Sequence, residues 1–392
     1  MQSNSPSLEK FAARKLAGLE KRQLRRRLKE SNNSAGMQVE RDGQTYVNFC
    51  SNDYLGLAND PRVIKAAQDA TARYGAGSGA SRLVTGGHHL LFELERRLAR
   101  LKGTEDCIVF GSGYLANLAI APALLGVGDL VLVDELAHAC IHAGAELSRA
   151  QIRKFRHNDL DHLRELLDTE RSAYRHAMIM TDGVFSMDGD FAPLPEMLAL
   201  ADRYDAWTLV DDAHAVGVVG DGKGSSAYFE PQATPPLQMG TLSKALGSYG
   251  GYLCASHTVC ELLRTRARPL VFTTALPPAS IGAALAALDI VESDAKRRER
   301  PLELAKRFCA AVGLPVPVSP IVPVLLGSEA RALDASARLQ DQGFLVTAIR
   351  PPTVPRGTAR LRITFSATHT EADIDQLAQG VRLILQETSE TA

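Results

Sequence analysis

The chain has 392 residues, enough for two or three domains with a sizeable core. Its 44 Lys and Arg residues nearly cancel 45 Asp and Glu, which leaves no bulk attraction to nucleic acid or to a membrane surface. Six cysteines without a C-x-x-C pair point to reduced thiols, not a disulfide frame or a zinc site; with no membrane-length apolar run and no signal-peptide core after Met1, a cytoplasmic protein is expected.

Between Lys10 and Lys29, nine basic residues face one acidic residue, Glu20. Leu16, Leu19, Leu24 and Leu28 recur there at near-helical spacing, which predicts an amphipathic helix. Its basic side is either a solvated face or an anion-binding one. From residue 104 onward, apolar β-rich runs alternate with helical patterns: 107–110, 130–133, 152–155, 177–180, 207–210, 238–241 and 252–255. Continuous apolar strands between helices predict an α/β domain whose sheet is mostly parallel and covered on both faces. Ligands in such folds lie at the carboxyl ends of the strands. A helical stretch over 277–297 runs into the charged cluster Lys296–Arg300, where a boundary is expected. The remainder reads helix, strand, helix, strand, strand, helix, a small α+β unit. The division is therefore 1–47 as N-terminal helix and arm, 48–292 as the large domain, and 293–392 as the small C-terminal domain.

Several polar residues fall at the predicted strand ends. Gly111-Ser112-Gly113-Tyr114-Leu115-Ala116 follows a strand and opens a helix, so its amides can cradle a phosphate. The same residues match G-x-G-x-x-A, with Asp129 and Asp134 downstream, which keeps a nicotinamide oxidoreductase open, as does a plain tight turn. Gly75-Ala-Gly77-Ser-Gly79 follows a helix and reads as an active-site loop. His138 and His142 stand four apart, a metal-ligand spacing, but a third ligand is lacking nearby. His138 could instead stack on a planar cofactor ring or lie on a helix surface. Ser186 sits in a loop after a strand, where a simple turn would also explain it.

Asp211 closes the apolar run Trp207–Val210, and at about 4 Å a pyridinium would gain on the order of 4 kcal/mol from it at an effective dielectric near 20. His214 follows three residues later. Lys244, in Thr241-Leu-Ser-Lys244-Ala-Leu-Gly247, is surrounded by apolar and small residues, so burial should depress its amine and make it a nucleophile and base. Lysine for an aldehyde and aspartate for a ring nitrogen together suggest pyridoxal phosphate (PLP). Arg360 and Arg362 alternate with Leu361 and Ile363, either as a carboxylate clamp or as an exposed strand face.

With these residues assembled, the chain resembles the α-oxoamine synthases, PLP enzymes of the aspartate aminotransferase fold (fold type I), from about residue 20 to 385. The resemblance rests on Asn48–Leu57, Gly79–Gly86, Gly111–Asn117, Thr181–Asp190, Asp211–Gly217, Thr241–Lys244 and Arg350–Arg362. It implies that Lys244 carries the cofactor aldehyde and later removes the Cα proton of the amino acid. Asp211 would pair with the ring nitrogen, His214 with the phenolic oxygen, and His138 would stack on the ring. Ser112, Gly113, Tyr114 and Thr241 would take the phosphate side and Ser186 the pocket. The family is dimeric with shared sites, so Thr273 or Thr274 would reach the neighbouring subunit's phosphate. Arg362 would bind the amino-acid carboxylate, Asn52 would be a further substrate contact, and Arg25 and Thr353 would contact the acyl substrate. Leu24-Arg-Arg-Arg27 and the Arg-Pro-Pro-Thr-Val-Pro tail point to the member that joins L-alanine to a pimeloyl thioester, on CoA or an acyl carrier protein. The alternatives within the family join glycine to an acetyl or a succinyl group. Cys50 stands where many relatives have serine, and Leu91 where histidine is common.

Overall fold

The seven apolar runs pair into one sheet in the computed structural model, which describes residues 6–22, 24–33 and 37–390. Its strands are Asp106–Phe110, Leu130–Asp134, Gln151–Phe155, Ala177–Asp182, Trp207–Asp211, Leu237–Thr241 and Gly251–Ala255. In space the order is 106–110, 251–255, 237–241, 207–211, 177–182, 130–134, 151–155. The strand 251–255 runs antiparallel to both neighbours, and all other pairings are parallel.

Successive side chains of the inner strands feed two cores, which is why most of these runs are continuously apolar, whereas the outer strand Gln151–Phe155 carries Arg153 and Lys154. Cys107 and Val109 pack with Leu94, Leu98 and Leu288, while Ile108 and Phe110 pack with Ile120 and Leu263. In the other half of the sheet Leu132, Ile179 and Val210 join Leu163, Leu167 and Met197. Each fully buried leucine contributes about 2 kcal/mol. Parallel register gathers the polar strand ends, with Asp182 directly opposite Asp211, and the antiparallel strand 251–255 sets Gly251 opposite Thr241.

The C-terminal strands Ile321–Gly327, Ala359–Thr364 and Thr347–Ile349 form an antiparallel sheet, with Ala359–Thr364 in the middle. That central strand is buried along its whole length, so Arg360 and Arg362 do not form an exposed face. Arg360 is tied to the Asp188 carboxylate and to the Met187 and Thr358 carbonyls. The charged cluster 296–300 begins a helix instead of ending one. The preceding helix stops at Ser293, and the Asp294 side chain caps Ala295–Val312 by accepting from Arg297 N at 3.0 Å.

Strand Gln44–Asn48 pairs with Gln38–Arg41 on one side and, in parallel, with Phe344–Leu345 on the other. Phe49 then inserts beside Phe344 and Phe365 and stacks on His369 at 4.1 Å. The first helix spans Pro6–Lys21, not 10–29, and buries none of its residues. It ends at Lys21, before the run Arg25–Arg27, of which Arg25 and Arg27 fold back to pair with Glu20 at 3.2 and 3.1 Å. Leu24 N turns back to Leu19 O at 2.9 Å, and 25–30 is irregular.

Candidate active site

Helix Gly113–Leu124 starts directly after the strand 106–110, and the Ser112 hydroxyl caps it by accepting from Leu115 N at 3.2 Å. The first-turn amides of Gly113 and Tyr114 have no partner inside the helix, the usual condition of an anion site. Gly251 brings its backbone against this turn, since a Cβ there would lie 2.5 Å from Gly113 N. Thr241 lies alongside, its hydroxyl 2.8 Å from both Gly250 O and Ser243 Oγ.

One turn further along the helix, Asn117 Nδ2 donates to Asp211 Oδ2 at 2.7 Å, while Ala213 N donates to Oδ1 at 2.8 Å. The buried Asp211 carboxylate is thus fixed in orientation. His138 caps helix Ala139–Ser148, and its backbone N–H donates to Asp182 Oδ2 at 2.7 Å. That helix can approach because a Cβ on Gly144 would overlap the Asn117 carbonyl. Burial, opposed by the nearby Asp211 charge, depresses the His138 imidazole. Burial, reinforced by Asp211, pushes Asp182 well above the usual carboxylate range.

Lys244 Nζ lies 2.9 Å from His214 Nε2, and His214 Nδ1 lies 2.7 Å from the Tyr54 hydroxyl. Burial depresses the Lys244 amine against the pull of Asp211 and Asp182. Burial and then the Lys244 charge push His214 well below an ordinary histidine, so it is neutral at pH 7. The buried Arg362 donates from Nε to Ser186 O at 2.5 Å and from Nη2 to Asn52 Oδ1 at 3.1 Å.

A cleft of about 680 Å³ opens beside His138 and Ser186 and is also lined by Arg26, Lys154 and Thr353. Thr353 thus lines the same cleft as His138. It places Arg25 elsewhere: that guanidinium pairs with the exposed Glu20 at 3.2 Å, and the next residue, Arg26, lines the cleft. Past Lys21 the chain is no longer helical, so neighbouring side chains diverge. Thr274 is exposed and pairs with Ser81 through an antiparallel bridge, outside the Asp211–Lys244 cluster. His138 and His142 belong to no group of three potential metal ligands among the described residues.

Three participants were missed as site residues in the sequence: Asn117, Tyr54 and Asp182. Asn117 carried a usable signal, standing one helical turn after Gly113 and hence on the same helix face. Tyr54 is 160 positions from His214, and only the fold joins them.

The arrangement fits PLP on its own donor chemistry. It offers an oriented buried carboxylate, a planar histidine beside it, a depressed amine, and a capped helix start against which the Gly251 backbone leaves no room for a Cβ. Comparisons with known proteins agree. The family model of class I and II aminotransferases matches residues 44–381. An 8-amino-7-oxononanoate synthase of Maricaulis maris is 68% identical over 392 residues, covering 100% of both chains. A serine palmitoyltransferase from S. paucimobilis, solved with PLP and myriocin bound, superposes with a TM-score of 0.89 at 30% identity, covering 98% of this chain and 100% of that one. The 8-amino-7-oxononanoate synthase of Francisella tularensis superposes with a TM-score of 0.76 at 28% identity over 88% of this chain and 98% of that one. These matches set aside the nicotinamide reading of Gly111–Ala116.

Proposed function

We infer, from a chain that belongs to the class I and II aminotransferase family and within it is a PLP-dependent α-oxoamine synthase, that this protein condenses L-alanine with a pimeloyl thioester. The products are 8-amino-7-oxononanoate, CO2 and the free thiol, a step of biotin biosynthesis. The observation that carries the chemistry is the cluster Asn117–Asp211 at 2.7 Å and Lys244–His214 at 2.9 Å at one end of the sheet.

Asp211 would hold the cofactor's ring nitrogen, His138 its face, His214 its phenolic oxygen, and Lys244 its aldehyde. Ser112, Gly113, Tyr114 and Thr241 would take the phosphate, and Thr274 would reach the site of a second copy in a homodimer. When bound, PLP supplies the electron sink that lets the amino acid's Cα lose a proton. Lys244 takes that proton: burial depresses its amine, which favours its use as a base. Tyr54 holds the His214 ring so that Nε2 faces the Lys244 amine. Arg362, held by Ser186 and Asn52, directs its guanidinium to the alanine carboxylate. Carbon–carbon bond formation expels the thiolate, which leaves as thiol. The resulting β-keto acid loses its alanine-derived carboxylate as CO2, and Lys244 returns a proton to carbon.

The test is release of free thiol from alanine or glycine with acetyl-, succinyl-, palmitoyl- and pimeloyl-CoA. Preference for alanine with pimeloyl-CoA is expected. Preference for glycine with acetyl- or succinyl-CoA would move the chain to another branch of the family.

A further inference from the structure

The cleft beside His138 and Ser186 carries a cation that the chemistry above leaves unused. On the sheet's outer strand Gln151–Phe155, side chains alternate between faces. Arg153 turns toward helix Leu160–Glu170 and pairs with Glu170 at 2.5 Å, and Phe155 joins Leu163 and Leu167 beneath the same helix. Lys154 therefore emerges on the opposite face, the face of Ile152, and lines the cleft near the strand's carboxyl end beside His142. Among the described residues its amine has no carboxylate or carbonyl partner. The two acids that line the cleft are engaged elsewhere: Asp188 by Arg360, and Glu135 by the His157 amide at 3.1 Å. Burial, and then the Lys154 charge, depresses His142, which therefore adds a neutral hydrogen-bonding group and no second cation.

The lining that His138 and Lys154 share also includes the apolar Leu136, Ala137, Phe185, Met187 and Val354. His138 and His142 are separated by one helical turn, about 6 Å, which is the scale of a short alkyl chain. An unpaired, exposed ammonium in a partly apolar cleft suits a chain that terminates in an anion. We propose that Lys154 binds the distal carboxylate of the acyl substrate, so that the enzyme selects dicarboxylic thioesters over plain fatty ones. This rests on the acyl-transfer reading above and assigns the substrate end which that reading leaves without a partner.

The experiment compares pimeloyl-CoA with heptanoyl-CoA, which has the same chain length without the second carboxylate, on the holoenzyme with L-alanine. Wild type should prefer pimeloyl-CoA. Lys154→Met should lower kcat/KM for pimeloyl-CoA roughly 10- to 100-fold, as expected for losing a charged hydrogen bond, and leave heptanoyl-CoA unchanged. Lys154→Arg should keep most of the preference. Calorimetric binding of pimeloyl-CoA without alanine should weaken in parallel in Lys154→Met. The anchor is overturned if Lys154→Met keeps the wild-type preference, if Arg26→Met abolishes the preference in its place, or if wild type does not discriminate. A wild type inactive with every thioester overturns the acyl-transfer reading itself, and the anchor with it, before any variant is made.

Discussion

Around Asp211 and Lys244 each polar group is held by partners inside the fold, whereas helix Pro6–Lys21 buries no residue. The contacts at the sheet end are long-range: Asn117 and Asp211 are 94 positions apart, and Tyr54 and His214 are 160 apart. The first helix has only local pattern, with Leu8, Phe11 and Leu16 left 61%, 51% and 43% exposed. A site that must hold atoms to a fraction of an ångström is fixed by many distant segments at once. The first helix meets the rest of the chain near its end, where Leu19 lines a cleft with residues 328–330 and 347–354.

The sharpest way to break this contrast is to remove the amine at the sheet end. Lys244→Ala should reduce turnover by 10²–10⁴-fold or more, the usual worth of a positioned base with its nucleophile, and abolish the visible absorbance of lysine-bound cofactor. Retained turnover in a thiol-release assay would remove Lys244 from the chemistry. Next comes the buried ion pair under the same corner, where Lys102 Nζ meets Asp212 at 2.6 Å with both side chains almost wholly enclosed. Lys102→Met leaves the buried Asp212 carboxylate without its cation, held only by the Ser225 amide and hydroxyl, and should cost about 3–5 kcal/mol in denaturant unfolding. A change below about 1 kcal/mol would mean that the Ser225 donors or water suffice to hold Asp212.

A smaller, pH-dependent effect belongs to His157, which lies 3.1 Å from Asp134 and 2.9 Å from Asp190. Burial works against its charge, but hydrogen bonds and attraction from both carboxylates outweigh it and push the imidazole up to about 10. A raised folded pKa means that its stabilisation is complete below the ordinary value near 6.5 and is lost as pH rises through about 10. The difference in unfolding free energy between wild type and His157→Gln should therefore shrink from pH 6 to pH 10. A difference that grows with pH would reverse the assignment. Smallest of all, Leu8→Ser with Phe11→Ser should change stability by no more than about 0.5 kcal/mol, because exposed positions contribute little. A larger loss, dependent on protein concentration, would show that a second copy covers this helix.

Much of the site was legible because its residues stand where two periodicities meet. Asp211 and Thr241 end apolar strands, His138 and Gly113 begin helices, and parallel register obliges such ends to converge. The alternation around Arg360 and Arg362 was ambiguous: a central strand covered on both faces and an exposed one share the same local pattern, and only burial separates them. Likewise 296–300 looked like a helix end because charge run and helix start are alike in sequence, until Arg297 found Asp60 at 2.7 Å.

The apolar strand runs, the phosphate-cradling turn Gly111–Gly113 and the small-residue setting of Lys244 were set by the sequence alone, since each depends on neighbours within a few positions. Which polar groups are paired and which stay free was decided only by tertiary structure. Arg153 and Lys154 are adjacent and both basic, yet one meets Glu170 and the other opens into the cleft. Local sequence specifies that they point opposite ways; the packed helices determine what each one faces.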